Sequence, residues 1–551
     1  MTATSVTATS VTATSVTTTS VETTSVEAFG LDAYRSVVTR GEAWVGATNP
    51  VLPGFHPDPS VCRVDGADGG WYYLVTSTFE YLPGLPVHRS RDLVTWELVG
   101  HVITDQLDLS GLGDSGGLYA PTIRHDGERF LVVCELVGGP ERASGNFVVT
   151  ATDAAGPWSA PVWWPDARGG DASLLLDGGR IWAHAARQTQ RQDWVGQGEV
   201  WVREVDPVTL RLTGPETVVF TSAVVGGIWT EGPHLYRRGE HVHLIAAEGG
   251  TGRHHAIVTG RAASPTETFE VGASNPVLTH RNLGPDAVVV NVGHADLVQA
   301  ADGSWWALTL ASRLVDGVDL LGRETFLTPV TFIDDAPVLA PGVGTLVPEP
   351  GGPDGVVRTA SSPAPEVPWV AVRRLPGEVA VGDLVGDGGA LVLRAGGALD
   401  AHLPAFVGQR LLAPSSVVAL DLPVVPDGGV AEVGLALRQS GRQWLTAGLV
   451  AGADGSELVV TLCVDGERAE AARVPVAGPG SVRVTVLGRN AEVAWAAAGA
   501  DPDAPPAAIA SLDVGHLSTT HAGGFVGVVT GPYAVGSGEA GVGPLRQRAT
   551  A

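Results

Sequence analysis

Five segments of this chain repeat one layout: a key residue, one or two small residues, a polar residue, an aliphatic strand, a turn and a second strand. Their openings are Asp58-Pro59-Ser60-Val61, Ala120-Pro121-Thr122-Ile123, Asp171-Ala172-Ser173-Leu174, Glu231-Gly232-Pro233-His234-Leu235 and His294-Ala295-Asp296-Leu297. They recur at roughly 50–65 residues, the range of propeller-like arrays. A unit of this size cannot bury its sheet alone and must stack on its neighbours. If five such units close into a ring, one repeat position faces one central point five times. Three carboxylates (Asp58, Asp171, Glu231) and a histidine (His294) then meet there.

The second strand of each unit is rich in β-branched, aliphatic or aromatic residues. These strands are Trp71 to Thr76, Phe130 to Cys134, Ile181 to Ala185, Val242 to Ala246 and Trp305 to Thr309, and a glycine-containing turn precedes each. Further short strands follow, such as Pro86 to Ser90, Asn146 to Thr150 and Ala256 to Thr259. No long helical period intervenes, so the expected class is all-β, with a five-bladed β-propeller over residues 29–340. Residues 341–368 are rich in Pro and Gly and read as a connection. Alternating strands then return, at Val417 to Leu422, Ala431 to Leu437, Leu458 to Cys463 and Val482 to Val486. Over 369–543 they predict a C-terminal β-sandwich of concanavalin-like jelly-roll type. Residues 544–551 read as a frayed tail. The Thr/Ser/Val repeat over 1–28 reads as a disordered tail without chemistry.

The charge narrows the partners. The net charge of −25, with every basic side chain an arginine, argues against nucleic acid and anionic membranes and favours a small neutral or cationic ligand. Three cysteines are too few for a disulfide framework, and none has a histidine at metal-ligand spacing. No apolar stretch is long enough to span a bilayer. The N-terminal repeat lacks the basic start and apolar centre of a secretory signal, so a cytoplasmic location is expected.

Glycoside hydrolysis needs two carboxyl groups facing one bond, one to protonate the leaving oxygen and one to activate water or attack carbon. A third carboxylate nearby raises the proton affinity of the acid by repulsion. Taken singly, each acid has a plainer reading. Asp58 between two prolines and Asp171 after two glycines suit turns. Glu231 suits a solvated strand start, and His294 a satisfied core histidine. Three acids at one repeat position are harder to dismiss.

The run from Asn49 to Ser60, with Pro57-Asp58-Pro59 inside it, resembles the opening of glycoside hydrolase family 43. So do Thr76 to Gly84, His88 to Trp96, Asp114 to Pro121, Thr230 to Tyr236, Ala247 to Thr251, Gly293-His294-Ala295 and Leu321 to Thr325. The likeness is to the two-domain β-xylosidases of that family. It implies an inverting mechanism, with Asp58 as general base, Glu231 as general acid and Asp171 tuning the acid's pKa. It also implies that Arg323 holds sugar hydroxyls, and that Phe79 and the residue at Tyr119 wall the pocket. His294 would lie at the funnel floor, beside a calcium ion or water cluster in several relatives. No cofactor is required by this resemblance, and a structural calcium is its one metal. Relatives of this type are often dimers or tetramers.

Departures from the resemblance cluster near the pocket. Tyr119 stands where a tryptophan is common, Ala183 to Gln188 replaces an aromatic-containing segment, the loop from Ser312 to Leu321 is short, and Asp319 to Gly322 replaces a Cys-Pro-Leu-Gly-like run. The expectation is exo-release of terminal β-D-xylose from short xylo-oligosaccharides. An α-L-arabinofuranosidase, or a bifunctional enzyme, stands as the alternative on the same scaffold. A non-catalytic carbohydrate-binding propeller would dispense with one or more acids, and all three are present. A retaining, fructan-type hydrolase would need a different opening motif.

Overall fold

The structure is a computed structural model and describes residues 47–66, 69–138, 145–353, 367–384, 389–422, 429–453, 455–499 and 507–550. The expected tail over 1–28 and the middle of the expected connection (354–366) lie outside the described residues.

Five four-stranded antiparallel sheets account for the first part of the chain. Their inner strands are Ser60–Val64, Gly117–His125, Gly170–Asp177, Glu231–Arg238 and Val289–Gln299. Each packs against the next, and the fifth against the first, which closes the ring. Their hairpin partners are Trp71–Val75, Phe130–Val137, Arg180–Gln188, His241–Glu248 and Trp305–Arg313, so the expected second strands are present and mostly longer than predicted. Val-, Leu- and Ile-rich cores fill each gap between neighbouring blades. Val87, Leu118 and Phe147 lie between blades one and two, and Leu52, Leu74, Val298 and Leu327 between five and one. Fully burying each such side chain contributes roughly 1.5–3 kcal/mol.

The ring is latched by the segment just before blade one. Asn49 Nδ2 donates to Leu327 O at 3.0 Å, and Leu327 N–H donates back to Asn49 Oδ1 at 3.0 Å. Val51 N–H adds a bond to Thr325 O at 2.9 Å. The segment Asn49 to Val51 is thereby held on blade five, joining the fifth blade to the first.

The C-terminal part packs an eight-stranded sheet on a five-stranded one, with a three-stranded sheet beside them. Val418, Leu420, Val482 and Val484 of the smaller sheet meet Leu435, Leu445 and Val460 of the larger in one core. This is the expected sandwich. Two features differ from expectation. Leu545–Ala549, read as a frayed end, is a strand paired with Ser415–Leu422. Its side chains are mostly exposed, so it carries no apolar alternation. Backbone pairing, the buried Leu545 and the Arg546–Asp421 pair at 2.8 Å hold it. The eight-stranded sheet also borrows Tyr81–Leu82 from blade one, paired with Val370–Val372.

That borrowed strand fastens the two parts. Phe55, Phe79 and Tyr81 of the propeller share a core with Val370, Phe406, Val526 and Tyr533. Asp114 binds Arg373 and lies 3.5 Å from the buried Arg438, whose Nη1 donates to Tyr81 Oη at 3.1 Å. Among the described residues, no helix is long and apolar enough to cross a membrane.

Candidate active site

The repeat is visible in the backbone. Asp58, Ala120, Asp171 and His294 take φ of 55°, 39°, 53° and 41°, a region non-glycine residues seldom adopt. The fourth blade matches them with Gly232 at 56°, not with Glu231. Glu231 therefore stands one residue before the repeat position, level with Tyr119 of blade two. This corrects the expectation that the three acids are strictly equivalent, and it explains why the fourth opening carries an extra residue. The register shifts at this point in blades two to five, between Tyr119 and Thr122, Gly170 and Ser173, Glu231 and His234, and Val290 and Ala295. A bulge re-aims side chains, and here it lets the bulged position and its predecessor both serve the funnel.

Asp58 is buried and its carboxylate is crowded by donors. Ser77 Oγ donates to Oδ2 at 2.6 Å, Arg323 Nη1 to Oδ1 at 3.3 Å, and His294 Nδ1 lies 3.8 Å from Oδ1. Burial pushes its pKa up, but Arg323, then His294 and Ser77, overcome that and hold it below its ordinary value. Asp171 accepts the Gly232 N–H at 2.9 Å. Burial raises its pKa, His294 opposes the rise, and the charge on Asp58 adds to it. Glu231 is pushed up to about 8, by burial first and then by Asp171 and Asp58, with Arg323 compensating in part. Its side chain lies deep in the molecule yet stays 35% exposed, so its carboxyl faces open funnel and water screens part of the repulsion. The environment thus favours the ionised form of Asp58 and the protonated form of Glu231, the opposed pair that acid–base hydrolysis uses.

Three groups around these acids were not singled out from sequence. His255 Nδ1 lies 3.0 Å from Asn291 O, which can only accept, so this nitrogen carries the proton. Burial holds the ring neutral, with a pKa of about 3. Its Nε2 faces Glu231 Oε1 at 3.6 Å, outside hydrogen-bond range, and makes no hydrogen bond among the described residues. Glu135 stands behind Asp171 and accepts its backbone N–H; burial and then Asp171 push its pKa up to about 8. Phe525 comes from the C-terminal part. Its ring stacks on Phe79 at 5.9 Å and meets Tyr119 edge-on at 5.5 Å. The signal for His255 was the polar loop after Gly249-Gly250-Thr251; for Phe525 there was only a Gly-Gly-Phe turn.

The remaining predicted residues gather here too. Phe79 and Tyr119 pack edge-to-face at 4.8 Å. Arg323 lies 5.7 Å from the Phe79 ring and 5.2 Å from that of Phe525, and donates to Thr251 Oγ1 at 3.0 Å. Tyr119 Oη donates to Ser115 O. His294 packs on Gly232, where a side chain would strike its ring at 2.9 Å. His294 Nδ1 lies 3.8 Å from Asp58 Oδ1, and no step is routed through a calcium ion. Among the described residues no cluster of three or more His, Cys, Asp or Glu could hold a metal ion.

A second network joins the polar residues of four repeats, Ser60, Ser173, His234 and Asp296, to Arg124 and Tyr236. Asp296, wholly buried, accepts from Ser60 Oγ at 2.7 Å, Val61 N–H at 3.0 Å, Arg124 Nη1 at 2.8 Å and Tyr236 Oη. His234 joins Ser173 Oγ at 2.9 Å and Arg124 Nη2 at 3.1 Å.

Residues 47–337 match the family model for glycosyl hydrolases family 43, more than half of the chain. The chain belongs to glycosyl hydrolase family 43. Residues 364–544 match the β-xylosidase C-terminal concanavalin A-like domain, so this family-43 protein has the two-part architecture of xylosidase and arabinofuranosidase types. It is 42% identical over 309 residues to a xylosidase/arabinosidase of Butyrivibrio fibrisolvens, covering 55% of this chain and 58% of that one. It is 43% identical over 291 residues to a non-reducing end α-L-arabinofuranosidase of Bacteroides ovatus, covering 52% of each. The matched segment thus spans just over half the length of these curated relatives. Similarity of fold runs further. The solved xylan β-1,4-xylosidase of Bacillus halodurans C-125 superposes with a TM-score of 0.80 at 26% identity, covering 91% of this chain and 99% of that one. The Bacteroides ovatus xyloglucan PUL GH43B structure gives 0.79 at 30% identity with the same coverage.

Proposed function

We propose that this chain is an exo-acting, inverting glycosidase that releases terminal β-D-xylose from short xylo-oligosaccharides. Asp58 acts as the general base that takes a proton from water, and Glu231 as the general acid that protonates the departing oxygen. Asp171 raises the proton affinity of Glu231 and holds the Gly232 amide beside it. The observation that carries the reading is the gathering of Asp58, Asp171 and Glu231 in one funnel, with the donors Ser77, Arg323 and His294 crowded on Asp58 alone. Asp58 is held low by Arg323, His294 and Ser77, and Glu231 is pushed up to about 8. Water attacks the anomeric carbon from the Asp58 side as the bond to the leaving oxygen breaks, and that oxygen takes the Glu231 proton. Inversion needs the two carboxyls roughly 6.5–9.5 Å apart, leaving room for water. Arg323 and the Phe79–Tyr119–Phe525 wall would hold the sugar. No cofactor enters.

A second reading, α-L-arabinofuranosidase or a bifunctional enzyme, is favoured by the names of the two relatives at 42% and 43% identity and by Tyr119 in the wall. Hydrolysis of nitrophenyl β-D-xyloside and nitrophenyl α-L-arabinofuranoside, compared by kcat/KM, decides between them. Preference for the xyloside is expected, and strong preference for the arabinoside overturns the first reading. The buried free thiols of Cys62, Cys134 and Cys463 suit the reducing cytoplasm, where imported oligosaccharides would be the substrate.

A further inference from the structure

Trp229 lies two residues before Glu231 and takes no part in the chemistry described above. It is 49% exposed, unusual for so large an apolar side chain at the mouth of a buried site. Its backbone takes φ of 53°, where bulky residues are rarely found. Such a conformation persists only where the surroundings over-determine it, and it clusters at ligand clamps. The surroundings do so here. Trp229 N–H donates to Gly196 O at 2.7 Å, and the preceding Ile228 O accepts the Gly249 N–H at 2.8 Å. The indole spans from one loop to the other. A Cβ on Gly250 would lie 2.5 Å from its Cε3, and one on Gly196 3.4 Å from its Nε1. Glycine at 250 leaves room for the ring, about half of whose surface stays open, and Val195 and Val225 in the neighbouring loops are 90% and 92% exposed.

Position gives this platform a use. Phe79, Tyr119 and Phe525 surround Arg323, which binds Asp58. Trp229 stands two residues before Glu231 in the chain, and its ring lies against Gly250, which precedes Thr251, the acceptor of a bond from Arg323. The acid protonates the oxygen of the leaving group, so the leaving sugar must lie on the Glu231 side. An open aromatic face gives the C–H face of a pyranose a large, rigid apolar contact at small entropic cost. We propose that Trp229 is the platform on which the departing pyranose stacks, so that it selects oligosaccharides over glycosides with a small leaving group. This rests on the glycosidase reading above.

The test compares kcat/KM of the unsubstituted protein, Trp229→Ala and Trp229→Tyr on xylobiose and on methyl β-D-xyloside. Trp229→Ala should lose about tenfold on xylobiose, chiefly through KM, the loss on the methyl glycoside being several-fold smaller. Trp229→Tyr, which keeps an aromatic face, should recover most of it. Equal losses on both substrates, or none on either, overturn the proposal. Calorimetric titration with xylose and xylobiose separates the two layers of inference. Xylobiose binding that weakens in Trp229→Ala without turnover in the unsubstituted protein keeps the platform and sinks the glycosidase reading. Turnover with equal losses sinks the platform alone.

Discussion

Two tiers of the same five-fold repeat, two residues apart along the inner strands and three at Glu231, treat charge in opposite ways. In the lower tier Asp296 is saturated with donors and paired with Arg124, so burial pressure on its carboxyl is fully answered. In the upper tier three carboxyls share one arginine, Arg323, and the shortfall appears as raised proton affinity on Asp171 and Glu231. A balanced ring fastens the blades. An unbalanced one is poised to move protons. The lesson is that repetition supplies the geometry, while the count of counter-charges decides which tier keeps carboxyls of raised proton affinity.

The comparison can be broken most sharply at Glu231. Glu231→Gln should lower kcat/KM on xylobiose by about 10²–10⁴-fold, the range for losing a positioned acid, with the fold intact by circular dichroism. Asp58→Asn should cost a similar factor. Next in size, Asp296→Ala leaves Arg124 charged and unpaired in the lower tier. Urea unfolding should show a loss of about 3–5 kcal/mol, while kcat/KM per folded molecule falls far less than for Glu231→Gln. The reverse pattern, a stable but inactive Asp296→Ala, would erase the distinction between the tiers.

Smaller effects sharpen it. The pH profile of kcat/KM should have its alkaline limb near 8, where Glu231 loses its proton, and its acid limb below the ordinary aspartate range. Ser77→Ala removes a hydrogen bond that favours ionised Asp58 and should move only the acid limb, upward. Phe525→Ala should raise KM about 2–10-fold, showing that the C-terminal part completes the wall. The smallest effect concerns stability. The folded-state pKa of Glu231, about 8, lies above its ordinary 4.5, so its ionisation opposes folding increasingly as pH rises between those values. The Tm advantage of Glu231→Gln should therefore be larger at pH 9 than at pH 4.

Much of this was legible in the residues. The hairpins announced themselves by Gly turns between β-rich runs, and the acids by their place in the repeat. What was hidden depended on backbone conformation or on distant chain. That Glu231 stands one residue before its counterparts follows from the positive φ of Gly232, which the side-chain pattern alone leaves ambiguous. Phe525 reaches the site from distant chain, through the pairing of Tyr81–Leu82 with Val370–Val372 and the bonds of Phe525 N–H to Ser115 Oγ and Val528 N–H to Leu320 O. His255 acquires meaning from its Nδ1 bond to Asn291 O, which fixes the face it turns to Glu231. The strand Leu545–Ala549, a mostly exposed sheet edge, carries no periodicity to read.

The central claim, that Asp58 and Glu231 act on opposite sides of one glycosidic bond, is tested most directly by the configuration of the first-formed product. Time-resolved ¹H NMR of xylobiose hydrolysis should show newly released α-xylose ahead of mutarotation. First appearance of β-xylose would mean retention through a covalent intermediate and would contradict the account.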